Sequence, residues 1–192
     1  MSAFAFVPTI ARATYADLES LRPDVRGEIV FGEMCMTPRP DNRHARAAMV
    51  LAQALAPLDR SRYSGGGGGE GWLFLFEPEL RIEGDAVIPD IAGWRAERYR
   101  QISTDYPDIA PDWVCEILSP STERRDWTSK ADWYLQHGVR WYWIVDPRAR
   151  SIECFEASGT LWQSVGKARA ADTARLAPFA ELALNVGEFW LD

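Results

Sequence analysis

Trp113-Val114-Cys115-Glu116-Ile117-Leu118-Ser119-Pro120 is the stretch on which the fold turns. Its mostly apolar residues end at a Ser-Pro turn signal, so they read as a short strand buried on both faces. Glu116 does not fit that pattern, because an ionised carboxylate is rarely buried without a partner. Upstream, Ile88-Pro89-Asp90-Ile91 repeats the oddity, a lone acid in an apolar run ahead of Gly93. Two such acids, each just before a turn signal, suggest a shared hard cation such as Mg²⁺. Strand alternation puts Glu116 and Leu118 on one face and Cys115 and Ile117 on the other. The backbone carbonyl of Ile117 can add a third oxygen ligand.

Downstream, the pattern predicts a helix from near 122–126 to Gly138, a good C′ glycine, with Lys130, Trp133, Tyr134 and His137 on one side. A strand over 141–145 ends at Asp146-Pro147. A hairpin over 151–156 and 161–167 follows, turning at Ser158-Gly159, and then an apolar tail after Pro178. Upstream, strands are expected over 72–76, 79–82 and 86–94. A short helix over 14–21 carries Thr14 as its cap with Asp17 completing a capping box. Two short strands between Glu28 and Met36 break at Gly32-Glu33. A longer helix, capped by Asp41 or Asn42, has Ala45, Ala48, Met49, Ala52, Leu55 and Ala56 at helical spacing before Pro57 ends it. Residues 1–12 read as a flexible terminus and 64–71 as a Gly-rich loop. The five glycines lack the Gly-Lys-Ser/Thr of a phosphate-cradling loop. Residues 1–192 make one α/β domain with a mixed sheet.

Nothing in the 192 residues approaches the run of about 20 apolar residues that a membrane helix needs. The N-terminus lacks a basic region followed by a long apolar one, so no signal peptide is indicated. Three widely spaced cysteines in apolar contexts are expected to be buried reduced thiols of a cytoplasmic protein. The net charge of −7 argues against a sequence-independent grip on nucleic acid. Clusters such as Arg39, Arg43 and Arg46, or Arg124, Arg125 and Lys130, still permit a local basic patch on an acidic body.

The ordered series Pro89-Asp90, Glu116, Ser119-Pro120-Ser121-Thr122, Asp126, Lys130, Tyr134, Gly138-Val139 and Trp143-Ile144-Val145-Asp146-Pro147 resembles the Uma2 family of endonucleases. That family belongs to the PD-(D/E)xK, restriction-endonuclease-like superfamily. Arg26-Gly27-Glu28-Ile29-Val30-Phe31-Gly32-Glu33 is similar to a segment of the same family, and His44 falls where the family has a His opening its first long helix. The resemblance runs from about Thr14 to the C-terminus. It implies a restriction-endonuclease-like fold, a central mixed β-sheet flanked by helices. It implies Mg²⁺ (or Mn²⁺) held by Asp90 and Glu116, and phosphodiester hydrolysis with DNA as substrate. Nucleases of this architecture often work as homodimers, which brings two sites to two strands. In the superfamily pattern a lysine sits two residues after the acid. Leu118 fills that slot here, and Lys130 is the natural substitute, assisting the attacking water from the next helix.

Each residue has a plainer reading beside this one. Asp90 can cap a turn, Glu116 can pair with an arginine, and Lys130 can be a solvated helix lysine. Glu28 is either a further acidic member of the site, holding Lys130 or a second metal, or a partner of Arg26 or Arg22. His44 reads as exposed or capping, or as a residue near substrate phosphates. Arg124 and Arg125 can bind phosphate or merely face water. As a whole, the chain reads as a Mg²⁺-dependent nuclease. The rival is a non-catalytic scaffold or protein-binding module on the same fold, favoured by the acidic charge and the missing Glu-x-Lys. A metal-dependent hydrolase of small phosphate esters is a third reading.

Overall fold

The computed structural model describes residues 11–37, 39–59, 71–99, 102 and 104–191. The chain opens with α1 (Tyr15–Glu19), β1 (Arg26–Val30), β2 (Glu33–Thr37) and α2 (Asn42–Leu55). Strands β3 (Trp72–Phe76), β4 (Leu80–Ile82), β5 (Asp85–Val87) and β6 (Ile91–Arg95) follow, then a short α3 (Ala96–Tyr99) and β7 (Trp113–Ile117). Next, α4 (Glu123–Arg125), a π-helical turn (Asp126–Lys130) and α5 (Ala131–Gln136) form one continuous helical crossover. It leads to β8 (Trp141–Asp146), β9 (Ser151–Ser158), β10 (Leu161–Arg169) and the short β11 (Thr173–Ala174) and β12 (Leu184–Asn185).

Six strands form the main sheet in the order β10, β9, β8, β7, β6, β3. Only β7 and β8 run parallel, because the helical crossover between them returns the chain to the same end; the other pairs are antiparallel. Central β7 is buried along its whole length, as its near-continuous apolar run requires. Its alternation feeds two cores. Trp113, Cys115 and Ile117 pack with Ala47, Leu51 and Leu55 of α2 and with Phe179, Val186 and Phe189 of the tail. Val114 and Leu118 pack on the opposite face with Trp133 and Tyr134 of α5. Leu118, in the slot where the superfamily pattern has lysine, is a core residue at 6 % exposure.

A second sheet of four strands, in the order β2, β1, β5, β4, covers part of that same face. The expected strand over 86–94 is in fact two strands in two sheets. Pro89 has no N–H to give a ladder, and Ile88-Pro89-Asp90 is the link by which the chain passes from β5 to β6. Asp90 therefore lies just ahead of a strand and not inside one.

The β1–β2 hairpin turns through Phe31 (φ 54°) and Gly32 (φ 77°). The carboxylate of Asp85 accepts both turn N–H groups at 2.9 and 2.8 Å, the Trp133 indole at 2.9 Å and Arg12 at 3.3 Å. Thr14 and Asp17 form the expected capping box on α1, and Asp41 caps α2 by accepting from the His44 amide. The buried face of α2 is His44, Ala47, Ala48, Val50, Leu51 and Leu55. That is about one position round from the predicted face, and Met49 is 56 % exposed. Alanines cost little on either side, so the bulkier Val50, Leu51 and Leu55 set the rotation. Residues 1–10 of the expected flexible terminus and all but Gly71 of the Gly-rich loop lie outside the described residues.

Candidate active site

Glu116 and Lys130 meet because β7 and the crossover helix pack face to face. The Lys130 Nζ lies 2.7 Å from Glu116 Oε1 and 3.3 Å from Glu28 Oε2, and donates to the Ile88 carbonyl at 2.7 Å. The ammonium thus makes one hydrogen bond, to a backbone carbonyl, and two ion pairs. Burial alone would push the Lys130 pKa down, but the carboxylates around it, Glu116 foremost, raise it far above its ordinary value. Lys130 is a permanent cation at 2 % exposure.

The Glu116 carboxyl is pushed well up by burial, with Lys130 pulling it back. Oε1 also accepts from the Tyr134 hydroxyl at 2.5 Å. Among the described residues Oε2 takes no hydrogen bond, and Glu116 lines an open cleft. Tyr134 stays protonated, since burial and the neighbouring Glu116 charge both raise its pKa.

Asp90 comes to the same cleft from the link before β6. Its Oδ2 accepts from the Ile117 amide at 2.6 Å and its Oδ1 lies 3.0 Å from His44 Nε2. In a strand a residue's N–H and C=O point to the same side, so the Ile117 carbonyl shares the edge that faces Asp90. Burial works to lower the His44 pKa, but the bond to Asp90 and its charge outweigh that, and the net shift is upward.

Glu28, on β1, also accepts from the Thr37 hydroxyl at 3.0 Å and the Ile88 amide at 3.3 Å, and Arg125 approaches at 3.4 Å. Its partners are thus Lys130 and Arg125, not the Arg26 or Arg22 of the plainer reading. Asp126 lines the cleft one turn before Lys130, its carboxyl pushed up to about 6, chiefly by burial.

The cleft holds about 50 Å³ and is lined by five carboxylates and four Lys or Arg side chains. Hard oxygens dominate, which is the donor chemistry that Mg²⁺ or Mn²⁺ takes. Each carboxylate oxygen has two lone pairs, so Asp90 keeps ligating capacity beyond its two present bonds, and Glu116 keeps Oε2. Among the described residues no group of three metal-ligating side chains converges on one point. The donor set therefore fits a cation held by two carboxylates and a backbone oxygen, with water for the remainder.

Asp90, Glu116, Lys130, Glu28 and Ile117 are thus brought together as a group. Asp126 joins them without having been assigned a site role, and His44 joins them against the reading of it as exposed or capping. Asp126 stands four residues before Lys130 and so on the same helical face, a signal present in the sequence. His44 is buried at 7 %, not exposed. It shares its helix face with Ala47, Ala48 and Leu51, and the alanine-weighted periodicity hid that.

The model of the Uma2 family, described as "Putative restriction endonuclease", matches residues 12–187. Among solved structures, the chain is similar to a putative nuclease belonging to DUF820 from Anabaena variabilis ATCC 29413. The TM-score is 0.72 at 18 % identity, over 92 % of this chain and 97 % of that one. At that identity the likeness is one of fold, and the fold is restriction-endonuclease-like as the resemblance implied. None of the curated proteins matches the chain.

Proposed function

The chain belongs to the Uma2 family, and from that premise we propose that it is a nuclease hydrolysing phosphodiester bonds in DNA with Mg²⁺ or Mn²⁺. One observation carries the reading: a permanent buried ammonium, Lys130, wedged between Glu116 and Glu28 beside Asp90 in a cleft open to solvent. A buried ion pair is weak evidence of stabilisation, and a solvated helix lysine would need none of these partners.

Asp90, Glu116 through Oε2 and the Ile117 carbonyl would hold the cation. When bound, it would lower the pKa of a water and draw negative charge off the phosphate. Lys130 is poorly suited to take the water's proton, because the carboxylates beside it raise its pKa. Its part is to hold Glu116 in one orientation and to offset charge building on the phosphate. Tyr134 fixes the same oxygen from the other side. Glu28 keeps the ammonium in place. With five carboxylates against four Lys or Arg side chains and His44, the cleft is nearly balanced, and a divalent ion would tip it in favour of a phosphodiester. Cutting both strands of a duplex would need a second site, which a homodimer supplies.

The test is calorimetric titration with Mg²⁺ and Mn²⁺, wild type against Asp90→Ala, with plasmid cleavage on the same preparations. Metal binding and cleavage are both expected for the wild type, and neither for the variant. A wild type that binds no divalent ion at millimolar concentration sinks the reading and leaves the scaffold alternative standing.

A further inference from the structure

We propose that His44 is a positioning residue for Asp90, an outer partner that sets the carboxylate's orientation for the cation; this rests on the metal reading above. His44 sits in the first turn of α2, its amide fixed by the Asp41 cap at 2.9 Å. Its ring reaches the cleft with Nε2 3.0 Å from Asp90 Oδ1, while the Ile117 amide holds Oδ2 at 2.6 Å. One contact to each oxygen fixes the plane of the carboxylate. Without His44, Asp90 would turn about its bond to a single amide.

A second observation separates this from an ordinary core histidine. Nδ1 is buried and has no hydrogen-bond partner. Facing a carboxylate, Nε2 carries a hydrogen, whereas no described residue meets Nδ1. A histidine kept for stability alone would be expected to have both nitrogens satisfied. Here one is sacrificed while the other is aimed at the acid that lines the cleft. Partners of this kind hold a ligand's geometry without touching the ion, and their loss weakens metal affinity by about 10- to 100-fold.

The test uses the full chain and the metal alone. Mg²⁺ and Mn²⁺ titrations of wild type, His44→Leu and His44→Gln are read beside the melting temperature of each metal-free protein. Leu fills the space without a donor, whereas the Gln side-chain amide can place an N–H near the position of Nε2. His44→Leu is expected to weaken binding about 10- to 100-fold and His44→Gln to stay within about threefold of wild type. Nitrogen-15 spectra of the metal-free wild type at pH 8 should show the hydrogen on Nε2. Wild type that binds no metal defeats the metal reading itself. Wild type that binds while His44→Leu binds equally well overturns the positioning role and leaves the metal site intact. His44→Gln as weak as His44→Leu, or an Nε2 that carries no hydrogen, overturns it too.

Discussion

Lys130 lies between Glu116 and Glu28, so removing it strands Glu116 as a buried acid without its cation and leaves Glu28 only Arg125. Lys130→Met should cost about 3–5 kcal/mol at neutral pH, measured by urea denaturation. A loss under about 1 kcal/mol, ordinary for an exposed lysine, would mean the ammonium is not held as described. Asp126 gives a pH signature. Its folded pKa of about 6 stands above the ordinary 3.8 because of burial. Between those values the folded chain binds the extra proton, so this group's contribution to stability is present at low pH and fades as pH rises from about 4 to 6. The loss is at most about 3 kcal/mol. Asp126→Asn cannot ionise, so its melting temperature relative to wild type should climb over that window. A difference that stays flat with pH contradicts the assignment. As for legibility, Asp90 and Glu116 stood out because an acid in an apolar run is costly wherever the chain folds. Glu28 beside Lys130 was one of two open readings, and its pairing with Arg125 was not foreseen, since about a hundred residues separate them and only tertiary packing joins them.

Strands were read well where a short apolar run is bounded by turn signals, as along β7 and β8, and where a turn sits between polar-faced strands, as in the β9–β10 hairpin. The reading failed where small residues blurred the pattern. On α2 the alanines left the face ambiguous, and in 86–94 an apolar run concealed a change of sheet. Two substitutions test the packing between elements. Gly93 in β6 is where Phe74 of β3 and Trp113 of β7 close over the backbone: an added Cβ would lie 2.8 Å from one Phe74 ring carbon and 3.3 Å from Trp113. Gly93→Ala should destabilise by about 1–3 kcal/mol through overpacking, read from the shift in denaturation midpoint; a neutral result would mean that Phe74 swings aside freely. Asp85 ties the β1–β2 turn to β5 and α5 through its four donors. Asp85→Ala leaves buried turn amides and the Trp133 indole unpaired, at a cost of at least about 2 kcal/mol. Thermal denaturation that shows no change would remove Asp85 from that role.

For the whole molecule, net charge misleads about the site, because −7 is a sum over the entire chain and the cleft is nearly balanced. A divalent ion should therefore act as a switch on nucleic-acid affinity. Oligonucleotide binding to wild type, followed by anisotropy with Ca²⁺ and then with EDTA, should be retained in the first and lost in the second. Asp90→Asn should show little difference between the two. Equal binding by wild type with and without the ion would count against a cleft closed by its own acids.

Glu28 and Asp90 flank the passage from one sheet to the other, and Ile88 between them gives its amide to Glu28 and its carbonyl to Lys130. Both sheets and the crossover helix must be in place before these groups face one another. A chain that ends short of the crossover helix has Glu28, Asp90 and Glu116 but neither Asp126 nor the Lys130 ammonium between the acids. Whatever these groups do together is thus absent from any chain in which either sheet or the crossover helix has not formed.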